Sequence, residues 1–392
     1  MTADAVGSYP SLPDRQPQPY PGAAATTVRL IRESYAQIQP HAAEFMQFFY
    51  AMFFAIAPDS RELFAVNMEA QRNRFWRALV HIVQHVDRSD ELIPFLHQLG
   101  RDHRKFGILP QHYGAMGTAL ITALKQYAGP AWTPQVEKAW RDTYNLIVKA
   151  MHEAADAESG PAWWTARVVD HRRLTWDVAV VQVVADRPVP YRAGQYVSVE
   201  VPQRPRLWRY LSPANAPRPD GSIEFHIRAV PGGSVSRAIV GHTQIGDIWR
   251  IGTPMGVMTV DRESGRDVLM VAGGTGTAPM RAILEELSQW GDNPEVTMFA
   301  GGRTRSDLHD LDTLTAIAAT NPWLKVIPVV ERQRVAGMEQ GTLADAITRF
   351  GAWADRDVLI CGSPNMIRAT VSRMLVAGTP LDHITHDPFT LD

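Results

Sequence analysis

Three stretches of this sequence carry residue types and spacings able to do chemistry. The first is Gly273-Gly274-Thr275-Gly276-Thr277-Ala278-Pro279, directly after the apolar run Val268–Ala272. Glycines at a strand-to-helix turn let the backbone approach a pyrophosphate, and the free N–H groups of the helix that follows bind the anion. Pro279 suits a first helical turn, where its missing N–H costs little. A glycine-rich turn by itself is only a tight turn; between a strand and a helix it predicts nucleotide binding. The second stretch, Cys361-Gly362-Ser363-Pro364-Asn365-Met366, again follows a strand and opens a helix. Cys361 alone would read as a buried thiol. The third is His103, on one helical stripe with Leu92, Leu96, Leu99 and Phe106. A lone histidine on such a stripe is more often a hydrogen-bonded core residue than a ligand. His81 and His85, four residues apart, could chelate a metal, but no third ligand is apparent and the pair reads as a solvated helix face. His97 and His112 read as surface residues.

The elements that must hold these residues change character along the chain. Residues 1–24, with Pro10, Pro13, Pro17, Pro19 and Pro21, read as a disordered tail. Residues 25–158 are patterned as helices throughout. Ala42, Phe45, Met46, Phe49, Tyr50 and Phe53 form one apolar face, Tyr113, Met116, Leu120, Leu124 and Tyr127 another, and Val136, Trp140, Ile147 and Met151 a third. Pro58, Pro94, Pro110 and Pro134 mark where helices should begin or break. Over 159–264, β-branched runs separated by Pro and Gly (Trp164–Val169, Val178–Val184, Tyr196–Val201, Ile223–Ala229) predict a small antiparallel barrel. Over 265–392, the buried runs Val268–Ala272, Val296–Ala300, Val326–Val330 and Val358–Cys361 alternate with helical stretches such as Met280–Trp290 and Met366–Ala377, the signature of a parallel α/β sheet.

The bulk numbers exclude several classes. A net charge of −2 with no charged tail gives no electrostatic support to nucleic-acid or membrane-surface binding. No apolar run approaches the roughly 20 residues of a membrane span. No basic segment followed by an apolar core opens the chain, so no secretory signal is expected. With one cysteine no internal disulfide can form, which fits a reducing, cytoplasmic setting.

The barrel and α/β region resemble the ferredoxin-NADP reductase-like family. Arg209-Tyr210-Leu211-Ser212 is similar to its Arg-x-Tyr-Ser flavin motif, and Pro231-Gly232-Gly233-Ser234-Val235-Ser236 to its second, pyrophosphate-binding turn. The Gly273–Pro279 and Cys361–Met366 turns then follow in the family order, as does His386-Asp387-Pro388-Phe389, similar to the C-terminal segment that places an aromatic beside the isoalloxazine. The resemblance implies FAD and NADH or NADPH as cofactors. It implies that Arg209 binds phosphate, Ser212 a flavin ring edge, Tyr196 the flavin, and Cys361 the nicotinamide. Leu211 stands where the family has tyrosine, with the aromatic one place earlier at Tyr210. Adjacent strand residues face opposite sides, so Tyr210 would need a bulge to replace that ring. The segment after the next strand, Gly302–Leu308, resembles that of NADH-using dioxygenase reductases, although Arg303 or Arg305 could meet a 2′-phosphate.

A globin before such a reductase resembles the flavohaemoglobins, a resemblance that covers the chain from about residue 26. It implies haem b on His103 as iron ligand, Tyr50 as the distal donor to bound dioxygen, Phe64 packed on the porphyrin and Tyr113 in the proximal hydrogen-bond network. Three positions depart from the family. Phe75 falls where it has a distal glutamine. Asp102 replaces the lysine before the proximal histidine, so that Asp102 and Asp387 would face one another and repel. Glu153 lies near the expected place of the proximal acid but out of step by about two residues. The activity implied is nitric oxide dioxygenation to nitrate, with electrons passing from NAD(P)H through FAD to haem. Its partners are then small molecules: dioxygen, nitric oxide and the nicotinamide. A monomer is compatible with this reading. Two alternatives remain: oxidation of a small 2-hydroxy acid such as D-lactate, and an oxygen or redox sensor.

Overall fold

The computed structural model describes residues 24–387; the proline-rich tail before it and Phe389 lie outside the described residues. The chain opens with helices α1 (Ala25–Ile38), α2 (Ala42–Ile56), α3 (Glu69–His85), α4 (Ser89–His103), α5 (Pro110–Ala128) and α6 (Pro134–Ala157). Pro110 and Pro134 occupy first helical positions, as the missing proline N–H favours. Pro94 departs from expectation. It lies inside α4, which continues through it at the loss of one backbone hydrogen bond. Phe45, Phe49 and Phe53 are completely buried where α2 meets its neighbours. Helices α4 and α6 approach so closely that a Cβ on Gly100 would lie 2.2 Å from the Met151 carbonyl oxygen. This backbone contact fixes the end of α4 that carries His103.

The second region holds β1 (Trp163–Arg173), β2 (Val178–Ala185), β3 (Val197–Glu200), β4 (Arg209–Leu211), β5 (Ser222–Arg228), α7 (Ser234–His242) and β6 (Ile248–Gly252). The sheet order is β4-β3-β6-β1-β2-β5, antiparallel throughout. A bridge between Pro213 and Phe225 brings its two ends together, which makes it nearly a barrel. Trp249 and Phe225 fill its interior.

The third region holds β7 (Val268–Gly273), α8 (Thr277–Leu287), β8 (Val296–Gly302), α9 (Leu311–Thr320), β9 (Leu324–Val330), β10 (Glu339–Gln340), α10 (Leu343–Arg349), β11 (Asp357–Cys361), α11 (Pro364–Val376) and β12 (Ile384–Thr385). Its parallel sheet runs β10-β9-β8-β7-β11-β12. The chain leaves β7 toward β8 on one side and later returns to β11 on the other. The carboxyl end of β7 is therefore the topological switch point, where open α/β sheets form their ligand crevice. Glu224 on β5 clamps this region to the barrel, meeting Arg281 of α8 at 2.8 Å and His226 at 2.9 Å. No described helix is long and apolar enough to cross a membrane.

Candidate functional site

The helical region, with β4 and the segment before it, surrounds a cavity of about 270 Å³ with largely apolar walls, among them Phe53, Phe64, Phe75, Leu99 and Met116. His103 looks into it from the last turn of α4. Its side chain lines the cavity, and burial holds its pKa below the usual value. His103 Nδ1 is 2.7 Å from the Leu99 carbonyl oxygen. A carbonyl can only accept, so Nδ1 carries the proton and Nε2 keeps its lone pair, the form an imidazole needs as a metal ligand. Glu153 does not reach it. That carboxylate stands 3.8 Å from Lys149, half exposed on α6. A carbonyl therefore takes the orienting place that the resemblance would give to an acid.

Tyr50 sits one layer behind the wall, 3% exposed, with its ring edge-on to Phe64 at 5.7 Å and Phe75 at 6.2 Å. Gln71 Nε2, on the wall, donates to the Tyr50 hydroxyl at 3.2 Å. This leaves the phenol proton for another acceptor, and burial raises the hydroxyl pKa so that the proton is kept. Sequence reasoning went to Phe75 and missed Gln71. Phe75 lines the cavity and stacks on Phe49 at 4.6 Å, while the amide comes from one helical turn earlier on the same face of α3. Tyr113 also lines the cavity, its ring edge-on to His152 at 4.4 Å. His112, expected at the surface, is buried. Its Nδ1 accepts from Leu109 N at 3.1 Å and caps α5. His81 and His85 are half-buried with rings stacked at 4.0 Å, and no group of three or more ligating side chains among the described residues could hold a metal.

A second cavity, of about 490 Å³, opens at the switch point between Leu211 and Ser212 of the barrel, the Gly273–Gly276 turn and Cys361–Gly362. The two glycine turns pack backbone to backbone: a Cβ on Gly276 would sit 2.5 Å from the Cys361 carbonyl oxygen. Thr277 opens α8, its hydroxyl donating to the Gly274 carbonyl at 3.0 Å, and Pro279 follows in the first turn. Burial pushes the Cys361 thiol up to about 12, so it is present as the thiol. Gly232, Gly233, Ser234, Val235 and Ser236 form the turn into α7, beside the cavity rather than in its wall. Arg209 lines the first cavity and not the second. Tyr196 accepts from Gln98 of α4 at 2.7 Å, which places it at the junction of helices and barrel. Asp387 is buried beside Val257, whose N–H it accepts at 3.4 Å, and burial pushes its carboxyl up to about 6.

The Asp102 carboxylate is taken up by partners other than Asp387. Lys105 Nζ meets Asp102 at 2.5 Å, and the Tyr210 hydroxyl donates to the same carboxylate at 3.1 Å. The cation absent from position 102 is supplied three residues later. Nor is there a bulge at Tyr210: β4 pairs with β3 in unbroken register.

An apolar cavity into which the His103 imidazole brings an uncommitted Nε2 lone pair fits a haem, and glycine turns at a switch point beside Ser212 fit FAD and a nicotinamide nucleotide. Comparison with known proteins agrees. Residues 47–151 match the globin family, 165–260 the oxidoreductase FAD-binding domain and 270–372 the oxidoreductase NAD-binding domain. A flavohemoprotein of Bacillus subtilis (strain 168) is 25% identical over 387 residues, covering 93% of this chain and 96% of that protein. The ferredoxin–NAD(P)(+) reductase component of the naphthalene 1,2-dioxygenase/salicylate 5-hydroxylase systems of Ralstonia sp. is 32% identical over 220 residues, covering 55% of this chain and 65% of that protein. The flavohemoglobin of Malassezia yamatoensis, solved with bound FAD and haem, shares the fold at a TM-score of 0.79 and 19% identity, covering 93% of this chain and 98% of that one.

Proposed function

From the premise that this chain belongs to the flavohaemoglobin family, a globin joined to FAD- and NAD-binding oxidoreductase domains, we propose that it is a cytoplasmic nitric oxide dioxygenase. When bound, the haem supplies the site for dioxygen, and the flavin turns the two-electron hydride of NAD(P)H into single electrons. The balance is two nitric oxide, two dioxygen and one reduced nicotinamide giving two nitrate, the oxidised nicotinamide and a proton.

The protein's own part is positioning. His103 Nε2 would hold the iron, with the Leu99 carbonyl fixing the ring's tautomer and orientation. Tyr50 would offer its phenol O–H as a hydrogen-bond donor toward that site without giving up the proton, its oxygen held by Gln71. Phe64 and Phe75 would exclude water from the porphyrin faces. The Gly273–Gly276 turn would seat the nucleotide pyrophosphate, Cys361 would pack against the nicotinamide and Ser212 would hydrogen-bond the flavin. The observation that carries the reading is the meeting, around one apolar cavity, of a lone-pair-bearing imidazole and a buried phenol held by an amide. Purified holoprotein given NADH or NADPH, dioxygen and nitric oxide is expected to consume nitric oxide and release nitrate. Comparing the two Michaelis constants identifies the donor. Protein loaded with both cofactors that leaves nitric oxide untouched would overturn the proposal.

One observation favours a second reading. Leu211, an aliphatic residue, lines the second cavity where the family has tyrosine, which leaves a less crowded wall beside the flavin site. Flavin reduction by D-lactate without nicotinamide would support oxidation of a 2-hydroxy acid, and inertness to such acids would exclude it.

A further inference from the structure

Among the described residues, Tyr210 is the one that lines both cavities. Its neighbours Arg209 and Trp208 belong to the first cavity, and Leu211 and Ser212 to the second. Three neighbours hold the side chain between the two cavities. Lys105 Nζ lies 5.3 Å from its centroid, the Tyr196 ring is edge-on at 5.1 Å, and its hydroxyl donates to Asp102 Oδ2 at 3.1 Å. Asp102 directly precedes His103. The Lys105 side chain is only 3% exposed and also lies 5.1 Å from the Phe106 ring and 5.3 Å from that of Trp208. A buried ammonium ion is tolerated only where a carboxylate and aromatic faces compensate its lost hydration. The cluster therefore specifies one arrangement of β4 against the end of α4.

We infer that Tyr210 is the connecting group between the haem and flavin sites: its ring is the protein matter that electrons cross, and its hydroxyl fixes the carboxylate beside His103. Each passage moves one electron, lost on the flavin side and gained on the iron side. Tyr210 neither gains nor loses an electron, and its proton stays on the phenol oxygen, donated to Asp102. The inference rests on the reading of His103 as iron ligand and of Leu211 and Ser212 as flavin wall. It does not require nitric oxide to be the substrate.

The test uses the full chain loaded with haem and FAD, mixed rapidly with NADH without dioxygen or nitric oxide, with flavin and haem absorption followed separately. Tyr210→Leu is expected to slow haem reduction by about tenfold or more relative to flavin reduction read in the same trace, as a group removed from the path between two sites should. Tyr210→Phe keeps the ring and should hold that rate within about threefold, a change of well under a tenfold barrier step. The phenylalanine variant should nevertheless shift the iron–imidazole vibration and the haem midpoint potential, and Asp102→Asn should shift them in the same way. Haem reduction at the unmodified rate in Tyr210→Leu would overturn the role of the ring. An unchanged vibration and potential in Tyr210→Phe would overturn that of the hydroxyl. If Tyr210→Leu sheds a cofactor, Tyr210→Met replaces it; failure of both to load would make Tyr210 a scaffold residue and overturn the proposal. Because nitric oxide is absent, these outcomes are independent of whether the protein is a dioxygenase.

Discussion

The first cavity takes its chemistry from side chains scattered over α2, α3, α4 and β4, whereas the second takes most of its chemistry from backbone in two contiguous turns. Around the first, Tyr50, Gln71 and His103 come from three different helices: Tyr50 and Gln71 pair between two of them, and His103 takes its hydrogen-bonding role from the Leu99 carbonyl one turn back. Around the second, Gly273, Gly274, Gly276 and Gly362 matter because they have no side chain, and the helix that follows brings its own N–H groups. A side-chain site should fail when an atom is removed. A backbone site should fail when one is added.

The largest effect expected from this contrast is at His103. His103→Gly removes the lone pair facing the cavity, and haem should be lost or left without its normal axial ligand. Added imidazole should restore the spectrum, because the apolar pocket itself survives. A His103→Gly protein with an unaltered haem spectrum in the absence of imidazole would break the comparison at its root. In the second cavity the matching experiment is an addition. Gly276→Val places carbon where the Cys361 carbonyl already stands at 2.5 Å, and backbone on both sides cannot give way as a flexible side chain would. Destabilisation of about 3 kcal/mol is expected, with nicotinamide affinity weakened while the haem spectrum stays normal. Thermal melting and a nicotinamide titration measure the two parts.

This difference in construction also decides what was legible in the sequence. Gly273–Pro279 and Cys361–Met366 can be read directly, since each is a short run whose meaning lies in its own order and in the strand before it. The helical and strand periods likewise give the three fold regions. The pairings around the first cavity cannot be read that way. Gln71 and Tyr50 are 21 residues apart, and Asp102 and Tyr210 are 108 apart on a helix and a strand. Residue-by-residue likeness to a family suggested a repulsion between Asp102 and Asp387. Only packing shows that Lys105 and Tyr210 have taken over the Asp102 carboxylate. His112 was misplaced for the same reason: a histidine that caps its own helix from inside has no periodic signature.

The comparison is sharpened where the backbone-built cavity depends on side chains after all. Glu224 joins the barrel to α8, and its carboxyl is held down at about 2, chiefly by the His226 hydrogen bond and the Arg281 guanidinium. A carboxyl whose folded pKa lies below its unfolded value stabilises the fold above about pH 4.5, and that stabilisation is lost as pH falls toward 2. Allowing for its partial exposure, about 2 kcal/mol is expected at neutral pH. Glu224→Gln should lower the urea midpoint for flavin release at pH 7, and the gap from the unmodified protein should close in acid. An equal gap at pH 7 and pH 3 would mean that the clamp acts through shape and not charge.

The smallest expected effect asks how far the first cavity depends on second partners. Gln71 donates to Tyr50 and touches the ligand site only through it and its own place on the wall. Removing one neutral hydrogen bond costs about 1 kcal/mol net, and removing the phenol itself up to about 3 kcal/mol. Dioxygen should therefore leave about fivefold faster from Gln71→Ala and at least tenfold faster from Tyr50→Phe, as measured by displacement with carbon monoxide in the reduced protein. The ratio carries the information. Equal effects would mean that the phenol is useless without its amide. A silent Gln71→Ala would mean that the rings of Phe49, Phe64 and Phe75, packed around Tyr50, hold the hydroxyl on their own, and the first cavity would then owe its polarity to shape as much as the second does.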